Sequence, residues 1–247
     1  MDEIGIQIGK AARIIRDSKH LVAFTGAGIS VESGIPPFRG DGGLWGRYDP
    51  THFEISYFTS HPKESWKTLR KIFFEKFEKA SPNEAHRVLG RLEKSGILKA
   101  VITQNIDNLH RRAGSINVIE YHGSSRQLVC LGCGSRCDVT PELIRKEEMR
   151  CGCGGLLKPD FVFFGEDIPK RALSGVFTES GKTDVMLVVG TTGEIFPASQ
   201  IPVDAKRLGA KIIEVNVEPS SYTDVITDIF LQGRAPIVLK EIENSLQ

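Results

Sequence analysis

The chain has 247 residues, 40% hydrophobic and 26% charged, and its 32 basic against 31 acidic side chains leave a net charge of +1. That balance gives no global field for nucleic acid or an anionic membrane, so neither is expected as a direct partner. The apolar runs fall well short of the roughly 20 residues of a membrane span, and the acidic, amphipathic start is unlike a secretory signal. Five cysteines crowd into residues 130–153, an odd, clustered set that suits a metal site in a reducing compartment better than a disulfide framework, so a cytoplasmic location is expected.

Ile4, Ile8, Ala11 and Ile15 recur at helical spacing and predict an amphipathic helix over residues 3–17. The apolar run Leu21-Val22-Ala23-Phe24 then predicts a buried strand that enters Thr25-Gly26-Ala27-Gly28-Ile29-Ser30. A strand running into Gly-Ala-Gly can bring backbone N–H groups to a phosphate, since no Cβ blocks the approach. The match to G-x-G-x-x-G fails at Val31, and a simple strand-to-helix turn stands as the alternative. Residues 40–80 are rich in aromatics (Trp45, Tyr48, Phe53, Tyr57, Phe58, Trp66, Phe73, Phe74, Phe77) and fit a helical insert over the loop edge of a sheet. Ser81-Pro82-Asn83-Glu84 reads as a helix start capped by the serine, with Ala85, Val88, Leu89 and Leu92 as the apolar face and Gly96 as the stop.

Further apolar runs at 99–103, 117–121, 161–164, 185–189 and 211–217, with helical patterns between several of them, predict an α/β fold: a parallel sheet with helices on both faces. Polar residues collect where those runs end. Gln104, Asn105 and Asp107 follow the first, offering donors and acceptors for an amide and sugar hydroxyls; an ordinary turn is the bland alternative. His122 follows the second and, with an ordinary pKa near 6.5, suits general-base work. Gly190, Thr191 and Thr192 follow a later run, and Asn216, Val217 and Glu218 close another. Cys130-x-x-Cys133, seventeen residues, then Cys151-x-Cys153 approaches a four-cysteine zinc ribbon, short by one residue in the second pair, with Cys137 left over. Reduced, buried thiols are the alternative.

Together these motifs resemble the sirtuins, NAD-dependent protein-lysine deacylases, over essentially the whole chain: Gly26-Ala27-Gly28-Ile29-Ser30, Gly34-Ile35-Pro36 with Phe38-Arg39, Thr103-Gln104-Asn105-Ile106-Asp107, His122-Gly123, the four cysteines, Phe164-Gly165-Glu166 and Asn216-x-Glu218-Pro219. The short chain looks like the compact prokaryotic members. The resemblance implies a Rossmann-like domain from residues 1–39, 81–123 and 159–247, and a small domain made of a helical insert (40–80) and a zinc-ribbon insert (124–158). It also implies roles. Gly26, Ala27 and Gly28 line the NAD diphosphate, Phe38 and Arg39 cover the nicotinamide ribose, and Gln104 contacts that ribose. Asn105, Ile106 and Asp107 form the nicotinamide pocket, with Asn105 and Asp107 acting alongside His122, the general base. Gly190, Thr191, Thr192, Asn216, Val217, Glu218 and Ala235 hold the adenosine half. Val162, Phe163, Phe164 and Gly165 pair with the backbone of an acyl-lysine protein or peptide, and Cys130, Cys133, Cys151 and Cys153 hold one structural zinc. The implied reaction consumes NAD and yields free lysine, nicotinamide and O-acyl-ADP-ribose.

The pattern departs from the family at Thr192, where a serine is usual, and at Gly193-Glu194, where a leucine and a variable residue are usual. Members that take acidic acyl groups carry a tyrosine and, three residues on, an arginine; the matching positions here are Leu69 and Ile72, which implies neutral acyl chains. Mono-ADP-ribosyl transfer and a non-catalytic, chromatin-binding NAD sensor are the competing readings.

Overall fold

The computed structural model describes residues 3–37, 42–74, 79–146 and 149–246. Phe38, Arg39 and Phe77 lie outside the described residues, as do the side chains of Trp45 and Phe73.

Six strands form one parallel sheet: β1 (Leu21–Thr25), β2 (Leu98–Thr103), β3 (Val118–Glu120), β7 (Val185–Val189), β8 (Lys211–Asn216) and β9 (Ile229–Gln232), in the order β3-β2-β1-β7-β8-β9. The chain order reverses between β1 and β7, and in doubly wound sheets that switch point, at the carboxyl ends of the strands, is where ligands bind. A second, antiparallel sheet of β4 (Gly123–Cys130), β5 (Arg136–Asp138) and β6 (Leu157–Phe161) has the order β5-β4-β6. The helices are α1 (Glu3–Asp17), α2 (Ile55–Ser60), α3 (Pro62–Leu69), α4 (Glu84–Lys94), α5 (Leu109–Arg112), α6 (Pro141–Ile144), α7 (Lys170–Ser180), α8 (Gln200–Arg207) and α9 (Ala235–Leu246).

Strand alternation sorts the core. In β1, Leu21 and Ala23 face a layer built on Ile8, Ile15, Val88, Leu89, Leu239 and Ile242 from α1, α4 and α9. Val22 and Phe24 face the opposite layer, with Ala172 of α7 and Ile201 and Ala205 of α8. All five β1 residues are buried, as expected for a central parallel strand covered on both sides. A third core joins the two inserts: Phe53, Phe58, Trp66, Leu69 and Ile72 pack with Leu128, Leu157, Phe161 and Phe163. Those contacts make the helical segment and the three-stranded sheet one small domain. Ile35, Ile106 and Leu109 belong to the same core and tie it to the loops of the large sheet. No helix among the described residues is long and apolar enough to cross a membrane.

Three local expectations differ from the structure. The cap of α4 is Asn83, not Ser81: its Oδ1 accepts from the Ala85 N–H at 2.9 Å, and His86 Nδ1 accepts from the Asn83 N–H at 3.3 Å. Asn83 is preferred because its Nδ2 also donates to Ile29 O (2.7 Å) and Ser33 Oγ (3.0 Å) across the fold. The apolar run 161–164 is not itself a strand. β6 ends at Phe161, and Phe163 to Glu166 closes a turn in which Gly165 takes φ +88° while Phe164 forms an isolated parallel bridge with Glu54. The edge strand β9 was not among the runs expected; four residues after the polar stretch 218–228 give too little periodicity to read.

Candidate active site and metal centre

The carboxyl ends of β1, β2, β3, β7 and β8 converge. Gln104 N–H donates to Thr25 O at 3.0 Å, Tyr121 N–H to Thr103 O at 2.8 Å and Gly190 N–H to Val215 O at 3.0 Å. Thr25 Oγ1 donates to Thr103 Oγ1 at 2.8 Å, which in turn accepts from the Asn105 N–H at 3.0 Å. The strand register therefore places Gln104, Asn105, Asp107 and His122 at one edge.

The loop after β1 meets the loop after β7 at van der Waals range. Gly26 N–H donates to Val189 O (3.0 Å) and Gly28 N–H to Gly190 O (2.8 Å). A Cβ on Gly26 would stand 2.7 Å from Gly190 O, and one on Gly28 would stand 2.7 Å from Gly190 Cα. Gly190 itself has φ +64°, and a Cβ there would lie 2.4 Å from Ile29 N. Glycine is thus required for loop-on-loop packing, whatever else it allows. Of the three residues 26–28, only Ala27 keeps a backbone N–H without a backbone acceptor among the described residues.

Asn105 and Asp107 are buried. Asn105 Nδ2 donates to Gly26 O (3.1 Å) and Ser30 Oγ (3.2 Å). Asp107 accepts from Ser30 Oγ at 2.7 Å and from the Leu109 N–H at 2.9 Å. Burial pushes the Asp107 carboxyl above its ordinary value, and those two hydrogen bonds oppose the shift. Ile106 is buried beside them, its carbonyl taken by the N–H (3.1 Å) and Oγ (2.7 Å) of Ser125.

His122 is half-buried, and its Nδ1 lies 3.1 Å from Gln104 O. A carbonyl can only accept, so Nδ1 carries the proton and Nε2 keeps the lone pair. Desolvation lowers the imidazole pKa, partly offset by this hydrogen bond. The ring is therefore neutral at pH 7, in the tautomer a general base needs.

Gln104 Nε2 donates to Thr191 Oγ1 at 3.0 Å, and Asn216 Nδ2 donates to Thr191 O at 3.1 Å. One residue thus links the expected ribose contact to the expected adenosine side. Thr192 Oγ1 reaches Glu194 Oε2 at 3.4 Å, Val217 and Glu218 are exposed at the end of β8, and Ala235 is buried at the start of α9. On the other side, Val162 N–H donates to His122 O at 2.8 Å. Phe163 is buried while Phe164 is 48% exposed; Phe164 exchanges backbone hydrogen bonds with Phe53 O (2.8 Å) and the Ile55 N–H (3.1 Å).

Three buried residues, Ser30, His86 and His110, join the site beyond those the sequence pointed to. Ser30 joins Asn105 to Asp107 and lies 3.4 Å from His86 Nε2; the His86 ring sits 4.9 Å from that of His110, whose Nε2 is 2.9 Å from Thr25 Oγ1. Burial drives both imidazoles down, His86 to about 4 and His110 well below its ordinary value, so both are neutral donors or acceptors. Their local sequence marks them only as helix-face residues.

Cys130, Cys133, Cys151 and Cys153 bring their sulfurs within 4.8 Å of one another, the one group among the described residues arranged to hold a metal. Cys130 and Cys153 are 3.5 Å apart, and Cys133 and Cys151 3.8 Å. With Zn–S bonds of about 2.3 Å, a tetrahedron has edges of about 3.8 Å, so the thiols fit zinc. The single residue between Cys151 and Cys153 is accommodated by the glycines around it: Cys151 N–H bonds to Gly155 O, and Gly154 takes φ +88°. Cys137, across from Leu128, stays outside the cluster.

The chain is similar to known proteins over most of its length. The Sir2 family model matches residues 26–197. The chain is 44% identical to an NAD-dependent protein deacylase of Pyrococcus furiosus, over 97% of this chain and 98% of that one. It is 43% identical to NAD-dependent protein deacetylase 1 of Pyrobaculum aerophilum, over 98% and 95%. Among solved structures, a mutant Sir2 homologue in complex with ADP-ribose superposes with a TM-score of 0.91 at 40% identity, covering 100% of this chain and 96% of that one. A Sir2–p53 peptide–NAD+ complex gives 0.87 at 34% identity, covering 95% and 96%.

Proposed function

The chain belongs to the Sir2 family, and from that premise we propose that it is an NAD-dependent protein-lysine deacylase, yielding free lysine, nicotinamide and O-acyl-ADP-ribose. The observation that carries this reading is His122: a neutral imidazole with Nδ1–H committed to Gln104 O, placed at the sheet edge that also holds Asn105 and Asp107. A module that only bound NAD would need no such base.

The donor set fits NAD. Ala27 offers a free N–H for the diphosphate in the loop that Gly26 and Gly28 shape. Gln104 and Thr191 are already coupled; we assign Gln104 to the nicotinamide ribose. Gly190, Thr191, Thr192, Asn216, Val217, Glu218 and Ala235 are assigned to the adenosine half, with Phe38 and Arg39 as the cover. When bound, NAD supplies a sugar carbon that becomes electrophilic as nicotinamide leaves. The protein's part is to bind, to exclude water and to move one proton. Asn105, Ile106 and Asp107 form the nicotinamide pocket, with the two polar residues held by Ser30. His122 Nε2 takes the proton from a ribose hydroxyl, and the Gln104 carbonyl stabilises the imidazolium that results.

The acyl-lysine peptide is assigned to Val162, Phe163, Phe164 and Gly165, as a strand added to the segment after β6. In support, Val162 O and Gly165 N–H have no backbone partner among the described residues. Leu69 and Ile72 are fully buried in the apolar core of the small domain, so no cation from these positions can meet an acidic acyl group. The four cysteines hold one zinc that cross-links the small domain away from the chemistry. The five cysteines are free, which suits a cytoplasmic protein.

The test is a mass-spectrometric product assay with NAD and peptides carrying acetyl-, butyryl- and succinyl-lysine. O-acetyl-ADP-ribose and nicotinamide in equal amounts are expected, with succinyl peptide the poorest substrate. ADP-ribose covalently attached to protein, without acyl transfer, would point to mono-ADP-ribosyl transfer instead.

A further inference from the structure

Lys158 lies in β6 with 3% of its surface exposed. Burying an ammonium is costly unless every proton is matched. Here each one is: Nζ donates to Pro159 O (2.8 Å) and Phe161 O (2.6 Å) and meets Glu166 Oε2 at 2.9 Å. Nζ also stands 4.4 Å from the centre of the Phe163 ring. The same Glu166 oxygen accepts from the Phe163 N–H at 2.8 Å, and Glu166 N–H returns to Phe163 O at 3.0 Å. Glu166 thus closes the turn that follows β6, and Lys158 anchors that turn to the strand. Next to it, Val162 N–H is fixed on the carbonyl of His122 itself.

An ion pair of this kind is not needed merely to fill the space, because an apolar side chain of similar volume usually stabilises a core as well or better. What it does here is hold four consecutive residues of irregular backbone, Val162 to Gly165, in one conformation beside His122. We propose that Lys158, acting through Glu166, is a positioning residue for the acyl-lysine substrate: it fixes the backbone edge on which the peptide strand docks. This rests on the deacylase reading given above.

The test compares Lys158→Met, Glu166→Ala and the double variant, with Glu166→Gln as a milder change that retains an acceptor. Three quantities are measured: the KM for an acetyl-lysine peptide, the KM for NAD, and hydrogen exchange of the Phe163 amide. Each single variant should raise the peptide KM tenfold or more, leave the NAD KM within twofold, and expose the Phe163 amide. The double variant should be no worse than the more severe single one, and Glu166→Gln should fall between it and wild type. A merely structural role would move both KM values together, and that result overturns the proposal. So does exposure of the Phe163 amide with an unchanged peptide KM. Should Lys158→Met not fold, the two Glu166 variants decide on the same criteria. If the wild-type chain releases no nicotinamide from NAD in the presence of peptide, the deacylase reading fails. Peptide Kd by fluorescence anisotropy then replaces KM, and a wild-type chain that binds no peptide overturns the positioning role as well.

Discussion

Replacing Gly28 by alanine separates two explanations of the glycine loop. The new Cβ would stand 2.7 Å from Gly190 Cα, 2.8 Å from Gly190 O and 3.0 Å from Gly190 C. Ordinary van der Waals contact begins at 3.4 Å, so the two loops must part by about 0.7 Å (3.4 − 2.7). All three opposing atoms are backbone, and no side chain can swing aside. Overpacking of this kind costs about 1–3 kcal/mol. Stretching the 2.8 Å hydrogen bond from Gly28 N–H to Gly190 O adds about 1 kcal/mol. Urea unfolding of the ligand-free protein should therefore show a loss of about 2–4 kcal/mol. Calorimetry should show weaker NAD binding as well, because Thr191, the partner of Gln104, moves with Gly190. If the glycine served only to admit a diphosphate, the ligand-free protein would keep its full stability and NAD affinity alone would drop. A stability within about 0.5 kcal/mol of wild type, beyond which ordinary surface changes rarely reach, would refute the packing argument.

The other expected outcomes concern proton chemistry and metal. His122→Ala should lower deacylation by a factor of about 10²–10⁴ while calorimetry still detects NAD; near-wild-type turnover would remove His122 from the base role. Because desolvation lowers the His122 pKa, the acid limb of the wild-type rate profile should fall below pH 6.5, with a flat rate across neutrality. His86 bears on stability rather than rate: its folded value of about 4 lies below the unfolded 6.5. The unfolded chain therefore takes up the proton first, and this contribution, present above pH 6.5, is lost as pH falls toward 4. The difference of 2.5 units corresponds to about 3 kcal/mol, and melting from pH 7.5 to 4.5 should be visibly flatter in His86→Gln than in wild type. Elemental analysis should find about one zinc per chain, and Cys130→Ala should abolish it and expose the small domain to proteolysis; a metal-free wild type of full stability would defeat the zinc assignment.

The parts of this molecule written in short-range pattern were legible in the sequence. The helical period of Ile4, Ile8, Ala11 and Ile15 gave α1 to the residue, and the buried runs of β1 and β7 stand where the apolar residues are unbroken. Cysteine spacing pointed to a tetrad even with a residue missing from one pair. Long-range choices were not legible. Ser81 and Asn83 are equally good caps on local grounds, and only Ile29 and Ser33, 54 and 50 residues away, select the asparagine. Nor does any local pattern announce that Ser30 will meet Asp107 across 77 residues, or His86 across 56.

The candidate site shows why such an arrangement is built from backbone as much as from side chains. What suits His122 to the proposed base role is the orientation of one peptide carbonyl, that of Gln104, which engages Nδ1. That carbonyl is itself placed by the register of β2 against β1, through the Gln104 N–H to Thr25 O bond. A shift of one residue in that pairing would turn every side chain of β2 to the opposite face and leave the imidazole without its tautomer lock. The buried hydroxyl pair of Thr25 and Thr103, 2.8 Å apart, sits at the last rung of the same ladder and cross-links the two strands beside the candidate site. The site therefore inherits its protonation state from the sheet, and substitutions at Thr25 or Thr103 should disturb the acid limb of the rate profile although neither side chain titrates.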